Sequence, residues 1–177
     1  MESIIDILHK GGYSCVMKNR EEVRTFTQRG VADLYDLYQA DSAFMKGAAI
    51  ADKVIGKGAA ALMVLGGFKT VYADIISTPA LALLCKAGIE TTFAQEVPHI
   101  INRDKTGWCP LETACMELNT VEEMYPVIQI LYQESGQNSN SLLSFPDYLM
   151  PFSSSILKSS LSIPTSSSVR ASLWSFR

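Results

Sequence analysis

The sequence is poor in the residues from which metal centres are built. It holds two histidines, His9 and His99, and four cysteines, Cys15, Cys85, Cys109 and Cys115, at irregular spacing and without a Cys-x-x-Cys pair. Structural and catalytic zinc sites draw on three or four such ligands at characteristic spacings, so no metal and no cofactor are expected. The same irregular cysteines do not form a disulfide framework. No charged-then-apolar leader opens the chain, and the expectation is of free thiols in a reducing cytoplasm. Positive charge is also short: 15 Lys and Arg stand against 18 Asp and Glu, for a net −3. General nucleic-acid binding rests on many cations neutralising phosphates, so it is not expected here. The longest nearly uncharged apolar run, 58–68, reaches about half of the roughly 20 residues a membrane-spanning helix needs.

What is present suits one compact domain with an appendage. Of the 177 residues, 47% are hydrophobic, enough for a single core. "SIIDILHK" places Ile4, Ile5 and Leu8 on one helical face, with Ser3 to cap it and Gly11-Gly12 to end it. "YSCVMKN" and "EEVRTFTQ" are rich in β-favouring residues and join at Asn19-Arg20, which predicts a hairpin. Leu34, Tyr35 and Tyr38 share a helical face. A longer Ala- and Gly-rich helix is expected from near Phe44 or Ala48 to Gly66-Gly67, buried tightly enough to offset the propensity its glycines lose. "KTVYADIIS" and "IETTFAQEV" predict strands. Between them, "STPALALLCKAG" predicts a helix opened at Ser77 or Thr78 with Pro79 in its first turn and Gly88 at its end. "CPLETACMELN" and "TVEEMYPVIQILYQ" follow as helices, the second with a Thr120/Glu123 capping box. This alternation predicts an α/β domain with a central mixed sheet covered by helices on both faces.

From 134 the composition changes. Serine supplies fifteen of the residues from 134 to 177, and the apolar residues there keep no helical or strand period. The expected division is a domain over 1–133 and a disordered Ser-rich tail over 134–177, because such a stretch buries too little apolar area to offset its ordering entropy.

The run "NRDKTGWCPLETAC" carries most of the candidate chemistry. Pro110 suits the first helical position, which places Cys109 at the N-cap and Glu112 at the third position. A thiol there meets unpaired N–H groups and the positive end of the helix dipole, which favours the thiolate. Glu112, turned toward the sulfur, would act as a general base. The same residues also read simply as a capping arrangement. Cys15 and Cys85 read as core, and Cys115 as packing, too far round the helix to pair with Cys109. Asn102 and Arg103 precede the turn, where an arginine suits a carboxylate or phosphate, although a solvated loop arginine is the plainer reading. Asp52, Lys53 and Lys57 interrupt the helix expected to be buried, so at least one should face a pocket or an internal partner. Lys53 and Lys57, at i,i+4, would share a face able to hold an anion. Ser77 reads most simply as a cap.

Together "ADKVIGKGAAAL", "VYADIISTPAL" and "VPHIINRDKTGWCPLE" resemble a bacterial and archaeal family carried as a domain of unknown function, whose fold is similar to cytidine deaminase. The resemblance covers roughly residues 3–132 and implies a three-layer α/β/α sandwich. Its recurring positions fall on Asp52, Lys53, Gly56 and Lys57, on Ser77, and on Asn102, Arg103, Gly107, Cys109, Pro110 and Glu112. It also implies that Asp52 and Lys53 stand at a pocket near the old metal position while the Cys109 loop closes over it. Zinc deaminases place a His or Cys with a Glu at one helix start and a Pro-Cys-x-x-Cys at the next. Here those places hold Ala51-Asp52-Lys53 and Ser77-Thr78-Pro79-Ala80.

The expected function is a cytoplasmic, zinc-independent protein that binds a small anionic or nucleotide-like ligand. Cys109 would be the nucleophile or redox thiol, Glu112 and Asp52 would transfer protons, and Asn102, Arg103, Lys53, Lys57 and Ser77 would hold the ligand. The alternative is a non-catalytic ligand-sensing or protein-interaction module. The small-residue helix offers one route to a homodimer.

Overall fold

The computed structural model describes residues 3–28 and 30–135; most of the Ser-rich stretch, from 136 onward, lies outside them. Helix α1 (Ile4–Gly11) is capped by Ser3, whose hydroxyl accepts the Asp6 N–H, and it ends where Gly12 turns left-handed. Strands β1 (Cys15–Asn19) and β2 (Glu22–Phe26) form the expected antiparallel hairpin, with Arg20 at φ +55° in its turn.

Helix α2 (Ala32–Met45) buries Leu34, Tyr35 and Leu37 and is kinked at Asp41, whose carboxylate accepts the Phe44 N–H. The next segment departs from the sequence-based expectation. Instead of one long helix, 49–66 forms strand β3 (Ala49–Ile55) and a separate helix α3 (Lys57–Gly66). Asp52 and Lys53 are therefore on a strand, and the shared helical face predicted for Lys53 and Lys57 does not exist.

Strand β4 (Thr70–Ser77) and strand β5 (Glu90–Val97) run parallel to β3, with helix α4 (Thr78–Lys86) between them in sequence. Helices α5 (Pro110–Cys115) and α6 (Val121–Glu134) follow, the latter opened by the predicted Thr120/Glu123 capping box. The sheet order is β2-β1-β3-β4-β5, antiparallel through the hairpin and parallel thereafter. It is the mixed sheet the alternation predicts.

Two clusters of buried side chains hold the layers. Leu8 packs with Val16 and Ala51 under α1 on one face. The larger core joins Met17, Ile50, Val71 and Ile76 of the sheet to Leu62 of α3, Leu84 of α4 and Ile128 of α6. Helix α3 is the centre of that core: Ala59, Ala60, Ala61, Leu62 and Met63 are all buried. A Cβ on Gly66 would stand 2.7 Å from Met45 Cε, so α3 and α2 meet where a side chain is missing. The small residues of α3 are thus occupied by this chain's own packing. No helix among the described residues is long and apolar enough to cross a membrane.

Candidate functional site

A cavity of about 650 Å³ opens beyond the carboxyl end of β3. Ligands of open α/β sheets commonly bind in this position, because loops there leave a crevice and helix N-termini point into it. Asp52, Lys53, Asn102, Arg103, Cys109 and Glu112 all line it. These residues come from three separate stretches of sequence, and the sheet brings them together.

Glu112 is the most constrained of them. It sits in the first turn of α5, 1% exposed, and its Oε2 accepts the backbone N–H of Lys57 at 2.6 Å. Gly56, the N-cap of α3, offers no side chain to bind that N–H. A carboxylate from 55 residues away therefore caps the helix that follows β3. Gly56 is needed for this approach, since a Cβ there would lie 2.5 Å from Glu112 Oε2 and 3.2 Å from Ile100 Cγ1. Gly58 does the same for the preceding residue of α5, since a Cβ there would lie 2.5 Å from Leu111 Cγ. Glu112 Oε1 is buried and has no hydrogen-bond partner among the described residues.

Asp52 is also buried, and its Oδ1 accepts the Val54 N–H at 2.9 Å. Burial pushes its carboxyl up to about 7; the Val54 N–H pulls against that rise, while the nearby Asp33 and Asp74 carboxylates add to it. Asp33 is itself engaged, accepting the Ser14 hydroxyl at 3.0 Å and the Gln28 N–H at 2.9 Å. Lys53 and Arg103 line the same cavity with no side-chain hydrogen bond or ion pair among the described residues.

Cys109 is the N-cap of α5, as the position of Pro110 predicts, and its side chain makes no capping hydrogen bond. It is half-buried on the cavity wall. The other thiols separate clearly. Cys15 and Cys115 are buried, and burial raises both, Cys115 to about 11. Cys85 corrects the expectation of a core residue: it is exposed, because α4 buries the stripe of Ala80 and Leu84 and turns Cys85 outward beside Lys86.

Two candidate residues are not brought to the cavity by their side chains. The Lys57 ammonium donates to the carbonyls of Met116 and Leu118 at 2.6 and 2.8 Å, closing the turn after α5. Ser77 is fully buried, and its Oγ accepts the Ala80 N–H as the N-cap of α4. Asn102 lines the cavity, but its amide also builds the loop, accepting the Thr106 N–H and donating to the Thr106 hydroxyl, both at 2.9 Å.

The resemblance marks Gly56 without giving its role, and sequence reasoning missed Gly58 and Tyr132. Gly56 and Gly58 read as helix glycines, although their role is to admit α5. Tyr132 of α6 lines the cavity and stacks on Tyr35 at 4.3 Å between ring centroids. At the loop, Ile101 pairs with Trp108, whose ring stacks on His99 at 4.0 Å; Trp108 is 46% and Ile101 57% exposed. A lone tryptophan in a polar loop was the only signal of that stack.

No group of three or more His, Cys, Asp or Glu among the described residues is placed to hold a metal ion. The helix starts after β3 and β4 carry Gly56-Lys57-Gly58 and Ser77-Thr78-Pro79. Neither of these helix starts offers an imidazole or thiol.

Fold and cavity together define an α/β protein with a mixed five-stranded sheet and a largely apolar recess beyond the carboxyl end of β3 into which a few charged residues are set. The chain belongs to the TM1506 family, a domain of unknown function (DUF1893), which matches residues 3–131. It is similar in fold to the crystal structure of a DUF1893 family protein (TM1506) from Thermotoga maritima. That match has a TM-score of 0.65 at 22% identity and covers 76% of this chain and 92% of that one. A second solved structure, Acinetobacter baumannii RibD, form 2, matches at a TM-score of 0.35 and 18% identity over 68% of this chain and 38% of that one, too slight a likeness to carry an argument. No curated protein matches.

Proposed function

We propose that the cavity beyond β3 binds a small anionic or nucleotide-like ligand. The observation that carries this reading is the convergence of two cations with no side-chain partner among the described residues, Lys53 and Arg103, with two buried carboxylates, Asp52 and Glu112, on one recess of about 650 Å³. That volume lies in the range of small-molecule sites, roughly 300–1,000 Å³. Lys53 and Arg103 would take the anionic group, Arg103 as a planar fork suited to phosphate or carboxylate. Calorimetry with inorganic phosphate and AMP tests this. Arg103→Ala and Lys53→Ala should each weaken binding about tenfold, the worth of one partly solvated charged hydrogen bond. Unchanged affinity in both variants would remove the anion site.

Within this reading Cys109 is the candidate nucleophile, with Asp52 the group best suited to move a proton near neutral pH. The protein supplies its own reference for the thiol. Iodoacetamide at neutral pH, with labelling followed by peptide mass spectrometry, should modify Cys109 faster than the exposed Cys85 and leave Cys15 and Cys115 protected. A Cys109 no faster than Cys85 would leave the second reading, a ligand-sensing module without chemistry. One observation favours that alternative: Glu112 spends Oε2 on the Lys57 N–H instead of on the Cys109 thiol. Four free cysteines are in keeping with a reducing compartment.

A further inference from the structure

We infer that Trp108 is a stacking platform at the mouth of the recess, so that the ligand carries a flat aromatic ring of the nucleotide-base kind beyond its anionic group. This rests on the reading of the recess as an anion site and specifies the other end of the molecule held there.

Exposed apolar side chains gather at this mouth. Among the described residues the exposed large hydrophobics are Val23, Val54, Phe93, Ile101, Trp108 and Ile130. Val54 and Ile101 line the recess and Trp108 is paired with Ile101, so half of them belong to one opening. Single exposed apolar residues need no explanation, whereas a group of them rimmed by polar residues marks a binding groove.

The loop also holds the indole in a defined place. On either side of the Ile101–Trp108 bridge, the Cys109 N–H donates to the Ile100 carbonyl at 2.8 Å and the Asn102 N–H to the Gly107 carbonyl at 2.9 Å, which makes a short antiparallel ladder. Residues directly opposite in such a ladder put their side chains on the same side of it. Trp108 is therefore carried beside Ile101, a residue of the recess wall. One face of the indole is taken, because the His99 ring stacks on it at 4.0 Å between centroids and 28° from parallel. Trp108 is nonetheless 46% exposed, and the surface that remains belongs to its other face and its edge. A stack on His99 staples the loop, but it does not require the rest of the ring to be open.

A fixed, open indole takes any planar base, since every base has a π face. Arg103 follows Asn102 at the turn of the same loop and lines the recess. Paired strands lie roughly 5 Å apart, so the loop backbone sets platform and cation within reach of one nucleoside monophosphate.

The test compares AMP with ribose 5-phosphate, which keeps sugar and phosphate and lacks the base. Calorimetry on the full chain should show AMP binding at least about tenfold tighter, and Trp108→Ala should remove that margin while leaving ribose 5-phosphate unchanged. Trp108→Phe, which keeps a smaller ring, should retain part of it. Because the chain holds two tryptophans, fluorescence is read in Trp174→Phe, where AMP should quench Trp108 and ribose 5-phosphate should not. AMP no tighter than ribose 5-phosphate in the wild type, an emission that saturating AMP leaves unmoved, or Trp108→Ala weakening both compounds alike overturns the inference alone. No binding of inorganic phosphate, ribose 5-phosphate or AMP overturns the anion-site reading, and the inference with it.

Discussion

Replacing Asp52 with Asn should flatten the pH dependence of stability between about pH 4 and pH 7. The unfolded carboxyl titrates near 3.8, whereas burial lifts the native one to about 7. Between those values the native state holds a proton that the unfolded state has released. Stability is therefore full at the acidic end and falls as pH rises through the native value, because above it the fold must carry a buried negative charge. Each unit of separation is worth about 1.4 kcal/mol, so the loss is on the order of 4 kcal/mol. Asn keeps a carbonyl oxygen to accept the Val54 N–H that Asp52 Oδ1 accepts at 2.9 Å, so the substitution removes the titration and leaves the geometry. At pH 8 the variant should be the more stable protein. Urea unfolding across that range checks this, and parallel profiles for the two proteins would show that Asp52 does not titrate in a buried setting.

Replacing Glu112 with Ala should cost about 1–3 kcal/mol, the penalty for leaving the Lys57 N–H without its partner. Glu112→Gln should cost much less, since its amide oxygen can take over the cap. Gly56→Ala supplies an independent check, because its Cβ would stand 2.5 Å from Glu112 Oε2. If the two residues act on each other as that distance requires, Gly56→Ala will destabilise the wild type more than it destabilises Glu112→Ala, a coupling read from a double-mutant cycle. Equal stability of the Ala and Gln variants at 112, with additive effects in the cycle, would mean that α3 is held by its packing and not by the carboxylate.

These two residues also mark the boundary of what was legible in the sequence. Local signals read well where the chain's own neighbours decide the structure: the caps at Ser3, Ser77 and Thr120, the hairpin turn at Arg20, and the helix start at Cys109-Pro110. Strand β3 was not legible because both faces of the sheet are covered there, Ala51 packing under α1 and Ile50 in the larger core, so it shows no alternation of apolar and polar residues. Its alanines read as helix, and the adjoining Ala-rich α3 extended that pattern. Ile50 and Ile55 both reach the main core at an odd separation, which a regular strand would place on opposite faces. The Asp52 carboxylate bound to the Val54 N–H sits between them. The candidate residues were found by type and spacing, but their roles depended on contacts across the chain. Lys57 and Glu112 are 55 residues apart, and only the fold shows that one caps through its backbone while the other supplies the acceptor.

The central claim is that the recess beyond β3 is a small-molecule site. Titrating the full ¹⁵N-labelled chain with AMP and following its amide resonances tests this most directly. The account predicts saturable shifts concentrated at Gly56, Lys57 and Gly58 and along Asn102 to Cys109, with the hairpin at Lys18 to Glu22 unmoved. Resonances that stay in place through the titration, or that move mainly outside those two segments, would contradict it.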